Sequence, residues 1–505
     1  MSNFMRLVFI IALCFVSLFV NGQTFTDIQA GLTGVAGSAA TWMDTDRDGD
    51  PDILVAGEFF KGSVSGVSTR HYTNQRNDRF TLSGKGLPDF HRGDFAIADI
   101  DLDGINDIAL IGESLNGKRI AFVYKGMSDG SFRKTNVELM PVRDGGIDMA
   151  DMDGDGDMDI LLCGESDNGP ACKVYRNDRN FSFVAEETPV NGLRRGDCKW
   201  SDFNLDGLPD IFISGIDVSG KLITQLYQNT GKSFKLHHSR FTGLKNSHIS
   251  FGDADNDGDD DLLLTGETAN GTACTHFFIN NRSGFVHQKI SVVGVTDGFS
   301  DWGDMDLDGD LDILISGMSA NGPVSRIYSN ERNFNFRDIK ANIIPLYNSS
   351  GQWGDYDLDG DLDVLIAGIS LQNDPVARVY NNGVIGKKKA KQKVESIDLV
   401  LSSVDPARQE PIYYYVYSSS YSDLYQTGTK GYYFFVSPVK KFPKDYVLEE
   451  KFQRMLIESF PTWPKADQGN IVQNGFVTKA QAEKSRAGMI HSYQTKGFKL
   501  VEINW

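Results

Sequence analysis

The pattern D-x-D-x-D-G-x-x-D occurs seven times in this 505-residue chain, starting at Asp44, Asp99, Asp151, Asp202, Asp253, Asp304 and Asp355. In the fourth copy Asn204 takes the third position. Successive starts lie 51 to 55 residues apart. A fixed period near fifty residues marks a repeat architecture, in which one supersecondary unit buries its apolar faces only by stacking on its neighbours. Any fold proposed for the chain must place seven equivalent units.

Carboxylates at alternate positions 1, 3 and 5 can turn inward on one cation, and the glycine at position 6 permits the chain to fold back around it. Position 7 then offers a backbone carbonyl and the aspartate at position 9 closes the shell. So many oxygen donors suit Ca²⁺; Mg²⁺ prefers a tighter octahedron that keeps several waters. The expected ligands are Asp44, Asp46, Asp48, Asp50 and Asp52 in the first loop, and Asp99, Asp101, Asp103, Ile105 and Asp107 in the second. The third offers Asp151, Asp153, Asp155, Asp157 and Asp159, the fourth Asp202, Asn204, Asp206, Leu208 and Asp210. The fifth offers Asp253, Asp255, Asp257, Asp259 and Asp261, and the sixth Asp304, Asp306, Asp308, Asp310 and Asp312. Asp355, Asp357, Asp359, Asp361 and Asp363 complete the set, so up to seven calcium ions are expected. Asp and Gly are also ordinary turn residues, but seven recurrences of one ligand spacing argue against a merely solvated turn. Charge agrees: the loops hold 33 of the 68 acidic residues, and the net charge of −18 is concentrated in them. The acidity is therefore a property of metal sites and does not point to a basic partner.

Each repeat has the same internal order. An aromatic or Met precedes the loop (Trp42, Met149, Trp200, Phe251, Trp302, Trp353), and an aliphatic run such as Ile53-Leu-Val-Ala-Gly57 follows it. That run reads as a buried strand. A Gly/Asn turn leads to a third strand ending Tyr-x-Asn (Tyr72/Asn74, Tyr175/Asn177, Tyr227/Asn229, Tyr328/Asn330), and a fourth opens with Phe, as in Phe181-Ser-Phe183 and Phe334-Asn-Phe336. Four antiparallel strands per repeat, seven times over, predict a mainly β protein with a seven-bladed β-propeller of four-stranded blades. The seventh repeat stops after its third strand at Tyr380-Asn-Asn382. Phe25-Thr-Asp-Ile-Gln29 aligns with Phe336-Arg-Asp-Ile-Lys340, so the N-terminal strand is expected to close the ring and leave no open edge.

Outside the propeller (23–383), residues 1–22 read as a secretory signal peptide, with an apolar run from Leu7 to Val20 too short for a confident membrane span. Export to the periplasm, cell surface or exterior is expected, with no transmembrane segment in the mature chain. Residues 384–394 form a basic linker, read as a solvated tether because export contradicts a nucleic-acid role. Residues 395–505 are tyrosine-rich and without repeats. They are expected to form a small α+β domain, with strands over 396–403, 412–417, 431–437 and 498–503 and helices over 446–459 and 478–497. After Cys14, four cysteines remain, too few for a disulfide scaffold. Cys163 and Cys172 flank the turn Ser166-Asp-Asn-Gly169 and either face each other or act as small buried fillers.

The repeats resemble FG-GAP/VCBS repeats, the calcium-loop blades of integrin α-subunit propellers and of many exported bacterial proteins, over about residues 24–383. The resemblance implies Ca²⁺ in the hairpin between strands 1 and 2. It names no ligand, since similar architectures serve adhesion modules, lectins and some polysaccharide lyases. The expected function is non-catalytic recognition of an extracellular or envelope glycan or protein. The alternatives are a polysaccharide lyase or hydrolase and a purely structural envelope component. An enzyme needs a convergent base, acid and charge stabiliser, whereas nearly every unusual acid here lies in a metal loop and the eight histidines are scattered. His237 and His238 are expected on a fourth strand, pointing to opposite faces. Glu58, Glu113, Glu165 and Glu267 recur after the second-strand glycine and read as structural hydrogen-bonding groups. The loop face is constrained by metal, so the ligand is expected on the opposite face. There the first repeat carries an excess at Glu58-Phe-Phe-Lys-Gly-Ser-Val-Ser-Gly66, which makes Glu58, Phe59 and Phe60 candidate ligand-binding residues.

Overall fold

The computed structural model describes residues 24–383 except 62, 63, 84, 85 and 333, and beyond them five strands together with residues 486 and 490. The chain divides into two compact units, 1–394 and 395–505.

In the first unit, each repeat sends its aliphatic run through the middle of a sheet. Ile53 to Ala56, Ile160 to Cys163 and Val364 to Ala367 are completely buried, as a strand covered on both faces requires. The third repeat shows the pattern: Ile147–Ala150, Asp159–Ser166, Gly169–Asn177 and Phe183–Glu186 pair antiparallel in that order. Fourth strands are only three or four residues long and begin at the second Phe of the motif. Phe181 and Phe334 instead sit in the preceding turn, with φ of 63° and 61°. The architecture is a β-propeller of antiparallel four-stranded blades.

Hydrogen bonding does not give seven separate sheets. Five four-stranded sheets are separate, while the third and fourth repeats share one eight-stranded sheet. Its two halves meet through one residue pair, Ala171 with Leu193. Three other junctions carry the equivalent contact as an isolated bridge: Val35 with Val376, Ile120 with Val142, and Cys274 with Val295. The fusion arises because Leu193 is itself part of a nine-residue strand, Leu193–Ser201.

Apolar clusters fill the junctions between consecutive repeats. Leu54, Phe90, Ile108 and Leu110 join the first two, and Phe212, Leu226, Leu262 and Phe278 join the fourth and fifth. One cluster unites the ends of the array, where Val35, Ile53 and Tyr72 pack with Tyr356, Leu365 and Val379. Trp42 stacks on Tyr356 there, with ring planes 8° apart. Polar links along the innermost strands follow the same circuit. Asp148 accepts from Trp200 N at 2.8 Å, Asp197 from Ile249 N at 2.9 Å and Asp301 from Trp353 N at 2.9 Å. Gln352 then accepts from Trp42 N at 3.3 Å, carrying the chain of contacts from the last repeat to the first. At the outer edge, Phe25–Asp27 pairs antiparallel with Asn382, Asn381 and Tyr380 and supplies the strand the seventh repeat lacks.

In the second unit, Ile412–Leu424, Thr429–Val436, Lys440–Phe442, Asn470–Phe476 and Lys499–Glu502 form a five-stranded sheet. Thr429–Val436 and Lys499–Glu502 are parallel, the other pairs antiparallel. The strands at 440–442 and 470–476 were not foreseen. Residues 486 and 490 are helical. The rest of both expected helices, the strand at 396–403, the linker and the signal segment lie outside the described residues.

Candidate functional site

The seven loops share one backbone design. Asp151 at position 1 accepts from the amides of Asp155 (3.0 Å) and Gly156 (2.9 Å), positions 5 and 6. Asp99, Asp202, Asp253, Asp304 and Asp355 do the same in their loops. Asp44 takes the amides of Arg47 and Gly49 instead. The position-5 carboxylate accepts from position 7, as Asp308 does from Asp310 N at 3.0 Å. These bonds fold the loop around its acidic side chains. Two residues per loop are left-handed: the glycine at position 6, with φ between 82° and 93°, and the residue at position 4. Position 4 is Leu102, Leu205, Leu307 or Leu358 in four loops, a choice that costs about 1–2 kcal/mol each. The motif as read from sequence assigned position 4 no role.

The aspartates converge as expected. Asp44, Asp46 and Asp48 bring one oxygen each within 4.8 Å of one another, as do Asp253, Asp255 and Asp257, and Asp304, Asp306 and Asp308. In the second and third loops the set is Asp99, Asp101 and Asp107, and Asp151, Asp153 and Asp159. Within these sets Asp46 Oδ1, Asp101 Oδ1 and Asp306 Oδ1 are buried without a hydrogen-bond donor. An orphaned buried carboxylate oxygen among others is the environment a hard cation relieves, so the residues fit calcium.

Position 9 does a second job. Asp159 Oδ2 accepts from Met152 N (2.7 Å) and its Oδ1 from Asn177 N (2.7 Å), tying the loop to the end of the third strand. Equivalent pairs of bonds occur at Asp52, Asp107, Asp261, Asp312 and Asp363. Burial pushes the carboxyls of Asp107, Asp159, Asp210 and Asp261 up to about 7, Asp312 to about 8 and Asp363 to about 9. Like-charged loop neighbours add to the rise, so a cation is the natural counter-charge.

The Tyr-x-Asn motif, recognised from sequence but given no role, holds repeats together. The Tyr hydroxyl accepts an amide from the segment entering its own repeat: Tyr72 from Thr33, Tyr175 from Met140, Tyr328 from Val293. The Asn side chain crosses to the preceding repeat and donates to the carbonyl of its loop position 2. Asn229 reaches Met152, Asn280 reaches Phe203, and Asn74 reaches Tyr356 across the ring closure.

Position 7 varies with a partner outside the loop. Where it is Asp50, Asp157, Asp259 or Asp310, an arginine from the turn between strands 3 and 4 pairs with it: Arg76, Arg179, Arg282 or Arg332, at 3.0 to 3.9 Å. Where it is Ile105 or Leu208, the turn has no arginine. The seventh repeat carries Asp361 and has no such turn, since its fourth strand comes from the N-terminus.

On the opposite face, six innermost strands bulge at a left-handed residue (Gly37, Arg92, Arg195, Asn246, Asp297 and Asn348), and in the third repeat the left-handed Asp144 precedes the strand, with φ of 47° to 54° throughout. They converge. Arg92 Nε donates to Asp144 Oδ1 (2.7 Å), and Arg195 Nε to Asn246 Oδ1 (2.8 Å). Backbone amides link Asp144 to Arg92 (2.9 Å) and Arg195 to Asp144 (2.7 Å). Around this ring lie the four recurrent glutamates. Glu58 contacts His91 Nδ1 at 2.7 Å, Glu113 pairs with Arg143, Glu165 lies 3.4 Å from Arg194, and Glu267 lies 2.9 Å from Lys245. Three of them pair with an arginine or lysine, and all four cluster at one mouth. Burial acts to raise the Glu113 carboxyl, but Arg143, Arg92 and His91 outweigh it and hold it below the ordinary range.

Glu58 thus belongs to this mouth, whereas Phe59 and Phe60 do not form a loop. Asp52–Lys61 and Val64–Asn74 continue as one long hairpin with Phe59 opposite Gly66, so the excess residues extend the strands. Both rings are half-buried, and Phe59 lies over Gly66. The glutamates were legible as a recurrence, but the left-handed ring they surround was not, because its residues share a conformation and a place in the repeat and not one letter. His237 and His238 follow the strand Phe234–Leu236 rather than lying on it. Cys163 and Cys172 face each other as register partners, both free and buried, with Cys198 in the same cluster.

Residues 99–162, 151–213, 202–264 and 304–366 each match the FG-GAP-like repeat. A sequence search among curated proteins finds no match. Similar solved structures include AofleA from Arthrobotrys oligospora, at 13% identity and a TM-score of 0.37 over 61% of this chain and 86% of that one. Trypanosoma rangeli sialidase matches at 10% identity and a TM-score of 0.35 over 74% of this chain and 60% of that one. Aleuria aurantia lectin, described as a six-bladed β-propeller with a novel fucose recognition mode, matches at 12% identity and 0.35 over 57% and 91%.

Proposed function

We propose that this chain of FG-GAP-like repeats is an exported, calcium-stapled binding module that recognises a glycan or protein at the mouth opposite its metal loops. We count the eight-stranded sheet as two blades joined by one bridge, which makes the ring seven-bladed. Export rests on the signal-like sequence of residues 1–22. Up to seven Ca²⁺ ions would be held by the aspartates at positions 1, 3 and 5, with position 9 contributing where it joins the cluster.

The observation that carries the binding role is the asymmetry of the two faces. One is committed to loop bonds and to the asparagine latches. The other brings the polar residues Arg92, Asp144, Arg195 and Asn246 into mutual contact; left-handed backbone occurs on both faces, so this convergence of donors and acceptors carries the reading. The side chains there include both donors and acceptors, flanked by charges of both signs, which suits a polar ligand.

A lyase or hydrolase could draw on this mouth, where His91, Glu58, Glu113 and Arg143 meet. His91 and Glu113 are each 10% exposed through their side chains, and His91 is held between two carboxylates. That confinement favours an ion network over proton exchange with a substrate.

The test is a glycan array and an envelope-extract pull-down with the calcium-loaded protein, beside a polysaccharide-degradation assay. Binding without turnover that falls tenfold or more in Arg92→Ala and Asn246→Ala, with an unchanged melt, supports the reading. Turnover abolished by His91→Ala would make the protein an enzyme. Binding lost only on substitution of the loop face would place the site wrongly. Phe59→Ala and Phe60→Ala test whether the long hairpin adds contacts.

A further inference from the structure

The second loop differs from the other six in the side chain that faces it. Lys125, from the third strand Arg119–Gly126, places Nζ against Asp101 Oδ2 and 2.7 Å from Asp103 Oδ2. These carboxylates occupy positions 3 and 5, two of the three expected to hold calcium. The ammonium is held from outside as well: it lies 5.6 Å from the centroid of the Phe181 ring, which belongs to the next repeat. The lysine side chain is 16% exposed, so it is a fixed element and not a surface tether.

At the equivalent position the other repeats have Thr73, Arg176, Gln228, Ile279, Ser329 and Asn381. None of these places an ammonium on positions 3 and 5. Arg176 hydrogen-bonds Asp178 and Glu186 and feels Asp153 only through space, and Asn381 gives Asp357 a neutral hydrogen bond at 3.0 Å. The second repeat departs at two further places. Position 7 is the apolar Ile105, a feature shared only with Leu208 of the fourth loop, and Gly126 stands where the latch asparagine of other repeats would be.

We infer that Lys125 is a built-in cation, and that the second loop is the weakest calcium site of the ring, left without metal when the others fill. The inference rests on the calcium reading above. An ammonium between two carboxylates supplies the counter-charge a dication would bring, and a dication entering that loop must displace it or bear its repulsion. The junction between the second and third repeats would then keep its loop folded when calcium is scarce.

Titration of the full chain with Ca²⁺ by calorimetry, after exhaustive chelation, tests this. Lys125→Gln removes the charge while keeping much of the side chain, and is expected to bind one more ion than the native protein or to tighten its weakest site at least tenfold. The reciprocal Thr73→Lys variant is expected to lose one ion from the first loop, and it gives an answer if Lys125→Gln does not fold. Unchanged stoichiometry and affinities in whichever variants fold overturn the inference while leaving calcium binding intact. A native protein that binds no calcium would instead overturn the reading on which it rests.

Discussion

Asn229 donates from its side-chain amide to the carbonyl of Met152, 2.8 Å away and 77 residues earlier in the chain. Both groups are buried; the amide also reaches Pro209 O at 3.2 Å, so it is the Met152 carbonyl that would lose its partner without the crossing. Its own backbone amide meanwhile donates to Asp210 at 2.6 Å. One residue therefore fastens the end of a strand to its own loop and that loop to the neighbouring repeat. Asn229→Ala keeps the backbone bond and loses the crossing, so unfolding by denaturant should show a loss of about 1–3 kcal/mol. A loss below about 0.5 kcal/mol would mean the latch is redundant.

Calcium should act as a folding ligand. Extracellular modules bind it with dissociation constants on the order of 10⁻⁴–10⁻³ M, and a ligand at a hundredfold excess adds about 2.7 kcal/mol per site. Chelation should lower the melting temperature by well over ten degrees, and Ca²⁺ should restore it better than Mg²⁺. An unchanged melt in excess chelator would reject the metal sites.

The buried position-9 carboxyls give the metal-free protein an inverted pH profile. Their pKa values, about 7 for Asp107, Asp159, Asp210 and Asp261 and about 8 for Asp312, lie above the ordinary carboxyl value of 3.8. The folded state then holds protons that the unfolded state has released, so this stability is fully present below about pH 4 and is lost as pH rises through 7 to 8. Melting curves in chelator should fall across that window, and curves in calcium should not, because the cation favours the carboxylate. A chelated protein that gains stability from pH 5 to pH 8 would contradict the assignment.

Removing residues 24–28 should weaken the ring at one place. Phe25 packs with Trp353, ring centroids 5.9 Å apart, and burying a side chain of this size is worth about 1.5–3 kcal/mol. The deletion also bares the edge Pro375–Asn382, a template for pairing with another chain. Reduced melting temperature and concentration-dependent association by light scattering are expected. A truncated protein as stable and monomeric as the parent would show the strand to be dispensable.

Much of this was legible in the letters because repeats supply their own comparison. Aspartate spacing gave the loops, the aliphatic runs gave the central strands, and the match of Phe25 with Phe336 gave the closing strand. What escaped notice depended on conformation or on distant partners. The mouth ring runs through Gly37, Arg92, Asp144, Arg195, Asn246, Asp297 and Asn348, residues with no chemistry in common beyond tolerance of one backbone geometry. The junction of the third and fourth repeats turns on whether a single pair, Ala171 and Leu193, extends a strand or stands alone. The excess beyond Glu58 in the first repeat is expected from sequence to present Phe59 and Phe60 to a ligand, yet it lengthens the two strands of the hairpin.

The pairing of Phe25 with Asn382 also sets an order of events. Synthesis from the N-terminus delivers this strand before the repeats, yet its partner emerges only after every one of them. Earlier repeats can stack on one another as they appear, whereas the closing strand must wait beside a half-built circle with its hydrogen bonds unmade. Folding then ends in a single long-range docking event, and whatever shields that lone strand until then decides how much protein reaches its finished form.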